Sequence, residues 1–247
     1  MRTGLLISML LAVQPCVAAE VSVAVAANFT DAARDIGTMF EKESGHRAII
    51  SYGSTGKLYA QIENGAPFEL FLAADSERPY RAEQQSLAVA GSRFTYAQGK
   101  LVLWSAKPGL FKDAELYLRQ AHFHRIAIAN PKTAPYGLAS LQLMQHLGLW
   151  EKLQGKVVRG DSIAQTFQFI ATGNAEAGFV AASQVRAWQD GSAGSVWEIP
   201  QAYYAPIDQQ AVLLEKGRDN PTAIAFLEFL KSDRIRAVIS AYGYGLK

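Results

Sequence analysis

The chain has 247 residues but only one cysteine, Cys16, and only four histidines. One cysteine can form neither an internal disulfide nor a thiolate metal site, so core and site must rest on other chemistry. Long apolar runs are also scarce. The stretch from Leu5 to Val13 is too short to cross a hydrocarbon layer of about 30 Å. Nor is there an excess of one charge: 24 Lys and Arg stand against 22 Asp and Glu. With no basic stripe and no acidic tail, the charge pattern argues against nucleic acid or a membrane surface as partner. Low-complexity tracts and solenoid-length repeats are missing too, which leaves an ordinary globular composition.

The first 19 residues, "MRTGLLISMLLAVQPCVAA", combine Arg2, a short apolar core, and small residues Val17 and Ala19 at the −3 and −1 positions. That is the pattern of a cleavable signal peptide spanning residues 1–19. Gln14 and Pro15 match a lipid-attachment site poorly. Cleavage would make Glu20 the first residue, remove the only cysteine and leave 23 basic against 22 acidic residues. An exported, soluble, thiol-free protein is expected.

From Glu20 onward, strand and helix patterns alternate. "EVSVAVAA" reads as a buried strand, and Phe29, Ala32, Ala33, Ile36 and Phe40 form the apolar face of the helix after it, closed by Gly45. "RAIISYG", "FELFLAAD", "KLVLWSA", "HRIAIAN", "KVVRG", "AGFVAAS", "VWEIP" and "QQAVLLEKG" are further strands. "STGKLYAQIENG" reads as a helix and "PKTAPYGLASLQLMQHLG" as a loop and helix. In "DSIAQTFQFIATGN", Ile163, Phe167 and Ile170 share one helical face, and helices close the chain from Pro221 to Tyr242. This alternation predicts an α/β fold with mainly parallel sheets flanked by helices. Two lobes are expected: residues 20–98 with 206–247 as a discontinuous first lobe, and residues 99–205 as the second.

Four strand-to-helix corners share one chemistry: "AAN" at 26–28, "GSTG" at 53–56, "KTAPYG" at 132–137 and "GDSIA" at 160–164. Taken singly, each is explained by helix capping, with Asn28 as an N-cap and Asp31 as a weak capping-box partner. Taken together, they place several free backbone N–H groups, and about half a positive charge per helix start, where open α/β sheets bind ligands. An anion site follows. "GSTGK" is not a phosphate loop, because Ser51 stands where glycine is needed and Leu58 where Ser or Thr is needed.

Over residues 20 to 245 the chain resembles the periplasmic molybdate-binding proteins of bacterial ABC importers. The resemblance rests on "AVAANFTDAARDI", "SYGSTGKLYAQIENGAPFELFLAAD", "ANPKTAPYG", "GDSIAQTFQFIATGNAEAGFVA" and the closing "YGYG". It implies a two-lobed periplasmic binding protein fold, with molybdate or tungstate held in the interlobe cleft by uncharged donors. No cofactor, no catalysis, a monomer in the periplasm and a membrane permease as partner are implied as well. Position by position, the implied ligands are Asn28 with Ala27 before it, Thr55 beside Ser54, the hydroxyl of Tyr136, and the backbone N–H of Ile163. One branch of the family draws its tyrosine from the strand that here reads "GFVAAS". Ala181 stands at that position, so Tyr136 is the phenol available.

Rival readings rest on fewer residues. "GDS" at 160–162 resembles a hydrolase nucleophile motif, but no histidine follows His146 to serve as its base. His122 and His124 fall on one face of a predicted strand without a third metal ligand, and Tyr203–Tyr204 resembles the paired phenolates of ferric-ion carriers. Sulfate and phosphate receptors would share the architecture. A phosphate site would want a carboxylate to accept the ligand's proton, and the corners offer only Asp31 and Asp161.

Overall fold

The computed structural model describes residues 18–188 and 194–246. Nearly all of the segment expected to be a signal peptide lies outside them. Chain order runs β1 (Glu20–Ala26), α1 (Thr30–Ser44), β2 (Arg47–Gly53), α2 (Thr55–Glu63), β3 (Leu70–Leu72), α3 (Glu77–Gln84) and β4 (Phe94–Gly99). It continues with β5 (Leu101–Ser105), α4 (Ala114–Gln120), β6 (Ile126–Ala129), α5 (Pro135–His146), α6 (Trp150–Leu153) and β7 (Val157–Gly160). Then follow α7 (Ile163–Ala171), β8 (Ala177–Ala181), α8 (Ala182–Ala187), β9 (Ser195–Glu198), β10 (Ile207–Leu213), α9 (Pro221–Lys231) and α10 (Asp233–Ala241).

The strands form two five-stranded sheets, ordered β2-β1-β3-β10-β4 and β7-β6-β8-β5-β9. In the first, β2, β1 and β3 are parallel, β10 runs against β3, and β4 runs against β10. The second repeats this: β7, β6 and β8 are parallel, β5 runs against β8 and β9 against β5. Each sheet is therefore mainly parallel with one reversed strand, and that strand is the first one laid down after the chain crosses from the other sheet. The crossings lie between Gly99 and Leu101 and between Glu198 and Ile207.

The pattern of side chains explains the layers. Every residue of β6 and β8 is buried, as expected for strands covered on both faces. In the first lobe, Phe29, Ile36 and Phe40 of the first helical segment pack with Phe226 and Ile239 beneath β1. In the second, the Trp104 ring stacks on Phe167 with centroids 4.5 Å apart and planes within 3°. Trp188 meets both rings at their edges. Trp104 is thus core, and Trp188 is a partly buried ring packed against its edge. A third cluster joins Ala26, Ala27 and Ala74 of the first lobe to Tyr136, Ile163 and Phe179 of the second. The site lies along that seam.

Candidate functional site

Several helix starts converge on the seam, and two of them lack a side-chain cap. Away from it, α4, α9 and α10 are capped by the side chains of Asp113, Asn220 and Ser232. At the seam, α2 begins after Ser54 and α5 after Ala134, and neither has a side-chain cap. Ser162 at the start of α7 accepts from Gln165 N and leaves the N–H of Ile163 uncapped. The first-turn amides of Thr55, Tyr136 and Ile163 have no intrahelical acceptor, so they are free to serve something else.

Asn28 departs from the capping expectation. It sits inside a 3₁₀ turn, Ala27–Phe29, which carries β1 directly into α1. The residue that precedes α1 is Phe29, with no side-chain cap. The Asn28 side chain turns inward instead, donating from Nδ2 to Gln209 Oε1 at 2.9 Å and to Tyr244 Oη at 3.2 Å. A capping asparagine would face its own helix; this one ties β1 to β10 and to the chain end.

All six residues expected from the sequence, Ala27, Asn28, Ser54, Thr55, Tyr136 and Ile163, line one small cavity. All are 6% exposed or less. Ala26, Gly53, Ala74, Ala134 and Pro135 complete the lining, and no Lys, Arg, Asp or Glu is among them. Ala181 does not line it, and Tyr136 is the tyrosine among its lining residues. Ionic groups lie outside, in an adjoining cleft of about 450 Å³ that holds Asp75, Arg78 and Lys132. There Asp75 pairs with Arg78. Burial pushes the Asp75 carboxyl up, against the lowering effect of that guanidinium.

Within the cavity the hydroxyls are oriented by what they accept. Thr55 Oγ1 accepts from Ala74 N at 3.1 Å, and Tyr136 Oη accepts from Gln209 Nε2 at 3.2 Å. A hydroxyl has one hydrogen, and accepting leaves it to be donated elsewhere. Ser54 Oγ is buried without a protein partner, as is Asn28 Oδ1. A buried polar atom without a partner costs roughly 1–3 kcal/mol, so the spare Ser54 hydroxyl, which has a hydrogen to give, points to a polar occupant. Burial holds the Tyr136 phenol well above its ordinary value of 10.0, helped by Tyr244, Tyr96 and Tyr204 and opposed by the bond from Gln209. It therefore stays protonated, and a donor, throughout the neutral range.

The two lobes meet around this point. Gly56 N donates to Thr133 O at 2.8 Å, Arg78 Nη2 to Lys132 O at 3.3 Å, and Ser183 Oγ to Asn28 O at 3.2 Å. Lys57 and Asp161 form an ion pair across the seam at 2.8 Å. Asp31 pairs with Arg34 on the surface. Neither carboxylate faces the cavity.

The rival constellations are not assembled. Ser162 is spent as a cap, and His146 stacks on Tyr203 with ring centroids 4.5 Å apart. Tyr203 donates to Glu115, while Tyr204 Oη accepts from Leu101 N. The two phenols thus turn to different partners. His122 and His124 precede β6 rather than lying on it, with both exposed and Phe123 buried between them. Residues that the sequence reading missed include Gln209, Tyr96 and Tyr244. A glutamine in the apolar strand "DQQAVLL" was the available signal for the first.

An uncharged, donor-lined cavity closed between two α/β lobes defines an extracytoplasmic solute-binding protein. Comparison agrees over nearly the whole chain. Residues 21–245 match the family described as bacterial extracellular solute-binding protein. The chain is 56% identical to the molybdate-binding protein ModA of Azotobacter vinelandii, over 93% of this chain and 91% of that one. It is 49% identical to the molybdate-binding protein ModA of Rhodobacter capsulatus, over 93% and 90%. The solved structure of the A. vinelandii periplasmic molybdate-binding protein superposes with a TM-score of 0.88 at 43% identity, covering 92% of this chain and 99% of that one. The chain belongs to the ModA-type bacterial extracellular solute-binding proteins.

Proposed function

We propose that this protein takes molybdate, and tungstate with it, into the cavity between its lobes and delivers it to the membrane permease of an ABC importer. The observation that carries this reading is the combination of leftover hydroxyl hydrogens and uncapped helix amides in a cavity without formal charge. The kinship with the ModA proteins supports the choice of ion.

Taking a dianion out of water costs several kcal/mol. A hydrogen bond to a charged acceptor contributes about 1.5–3 kcal/mol, so about seven can exceed that cost. Donors come from Ser54, Thr55 and Tyr136 hydroxyls and from first-turn amides including those of Asn28 and Ile163. Neutral donors on rigid helix ends select by size, since backbone cannot shrink around a smaller sulfate. Molybdate and tungstate are nearly equal in size, and poor discrimination between them follows. Hydrogen phosphate calls for a strong acceptor for its proton, and no carboxylate lines the cavity, only the weaker neutral carbonyl of Asn28.

The remaining features fit a carrier that performs no chemistry on its cargo. Residues 1–19 direct export and are removed, the protein works as a periplasmic monomer, and nucleic acid is not a partner. Residues 20–98 with 206–247 form one lobe and residues 99–205 the other, closing on the ion by a hinge movement. A thermal-shift panel on dialysed protein tests the reading. Molybdate or tungstate at 100 times its dissociation constant adds about 2.7 kcal/mol of stability, while sulfate, phosphate and ferric citrate add none. Equal shifts with sulfate and molybdate would contradict it.

A further inference from the structure

Gln209 is fully buried on β10 and hydrogen-bonds three polar side chains at and behind the cavity. Its Oε1 accepts from Asn28 Nδ2 at 2.9 Å and from Tyr96 Oη at 3.0 Å, while Nε2 donates to Tyr136 Oη at 3.2 Å. Local backbone geometry serves this cluster. The β10–β4 pairing pairs Gln209 with Ala97 and Gln210 with Thr95, skipping Tyr96 at an irregularity. A Cβ at Gly99 would fall on the Tyr136 hydroxyl and 2.8 Å from Gln209 Nε2, so the strand end has room for this pair only as glycine.

The chain of groups Tyr136–Gln209–Asn28 begins and ends on residues that line the cavity. An amide has a donor end and an acceptor end, so the chain has a direction. With Nε2 toward Tyr136, the phenol oxygen is occupied and its hydrogen is released to the cavity. Reversed, the glutamine carbonyl would take that hydrogen and leave a phenol lone pair facing an anion. The acceptor end of Gln209 takes the Asn28 amide at 2.9 Å, which favours the first direction, while Tyr96, whose single hydrogen is shared between Gln209 Oε1 and Ala73 O, fits either. Asn28 then contributes through its main-chain N–H, its side-chain amide being spent on Gln209 and Tyr244.

We propose that Gln209 is a positioning residue that sets the direction of this hydrogen-bond chain and so makes Tyr136 an obligate donor to the bound oxyanion. The proposal rests on the molybdate reading and extends it to a residue outside the cavity wall. It assigns part of the binding specificity to a group that does not touch the ion.

A double-mutant cycle read by calorimetry with sodium molybdate at neutral pH tests it. Tyr136→Phe removes the hydrogen, and a lost bond to a charged group weakens binding about 10- to 150-fold. Gln209→Met leaves the phenol undirected and weakens binding, while Gln209→Met combined with Tyr136→Phe binds no more weakly than Tyr136→Phe alone. Additive losses at the two positions would overturn the proposal, as would unchanged binding by Gln209→Met. Should Gln209→Met fail to fold, Gln209→Glu gives a second route. Its carboxylate takes the phenol hydrogen, and binding at wild-type strength by a folded Gln209→Glu protein would overturn the proposal equally. Failure of the wild-type protein to bind molybdate would instead refute the functional reading itself. Normal wild-type binding with additive losses refutes only the role of Gln209.

Discussion

At the scale of residues, the site depends on which lone pairs the protein already uses. Ala74 N fills one on Thr55 and Gln209 Nε2 fills one on Tyr136, so both hydroxyls have hydrogens to give. Thr55→Val keeps the shape of its side chain and removes the donor. Tyr136→Phe does the same for the phenol. Each is expected to weaken molybdate binding by about 1.5–3 kcal/mol while the ligand-free protein stays folded. Calorimetry beside circular dichroism checks both halves, and unchanged affinity in either variant would remove that hydroxyl from the site. At this scale the sequence was partly legible. Asn28, Thr55 and Tyr136 stand out because they interrupt apolar strands at helix starts. Gln209 and Tyr96 do not, because their roles arise where β10 and β4 pair across more than a hundred residues of chain, a distance no local pattern records.

At the scale of elements, what matters is which helix ends are capped. Strand and helix alternation was readable over most of the chain because apolar periodicity changes between two and 3.6 at most corners. The strand β4 was not anticipated: "FTYAQG" is polar at several positions and takes its place only by pairing with β10. Helices α3 and α4 were missed for a related reason, being short and partly exposed. The expectation of an N-cap at Asn28 failed because capping is a local preference, and a buried partner on a distant strand outweighs it. Gly56 shows how tightly the elements meet. A Cβ there would lie 3.0 Å from the Cα and O of Thr133 across the seam. Gly56→Ala has to push the Thr133 backbone back by a few tenths of an ångström, at a cost of about 1–3 kcal/mol, or about 5- to 150-fold in molybdate affinity. Because the methyl strains the lobe contact rather than a core, the melting temperature without ligand should hold. A variant that melts early yet binds normally would show that this contact belongs to folding and not to closure.

At the scale of the molecule, the two sheets are built to one plan, and the seam between them is where both supply helix beginnings. That duplication puts Asn28 and Thr55 on one side of the cavity and Tyr136 and Ile163 on the other, so an ion bound by all four holds the lobes together. A ligand that contacts both halves stabilises their closed arrangement by its differential affinity. The charged groups stand in the neighbouring cleft, and Lys57–Asp161 bridges the lobes beside the cavity rather than in it. The most direct test of this account is a crystal of the protein grown with molybdate, with the metal located by its anomalous scattering. The account predicts one strong peak in the cavity, with oxide oxygens within hydrogen-bonding distance of Ser54, Thr55, Tyr136 and the amides of Asn28 and Ile163. A peak held by a lysine or arginine, or one outside that cavity, would contradict it.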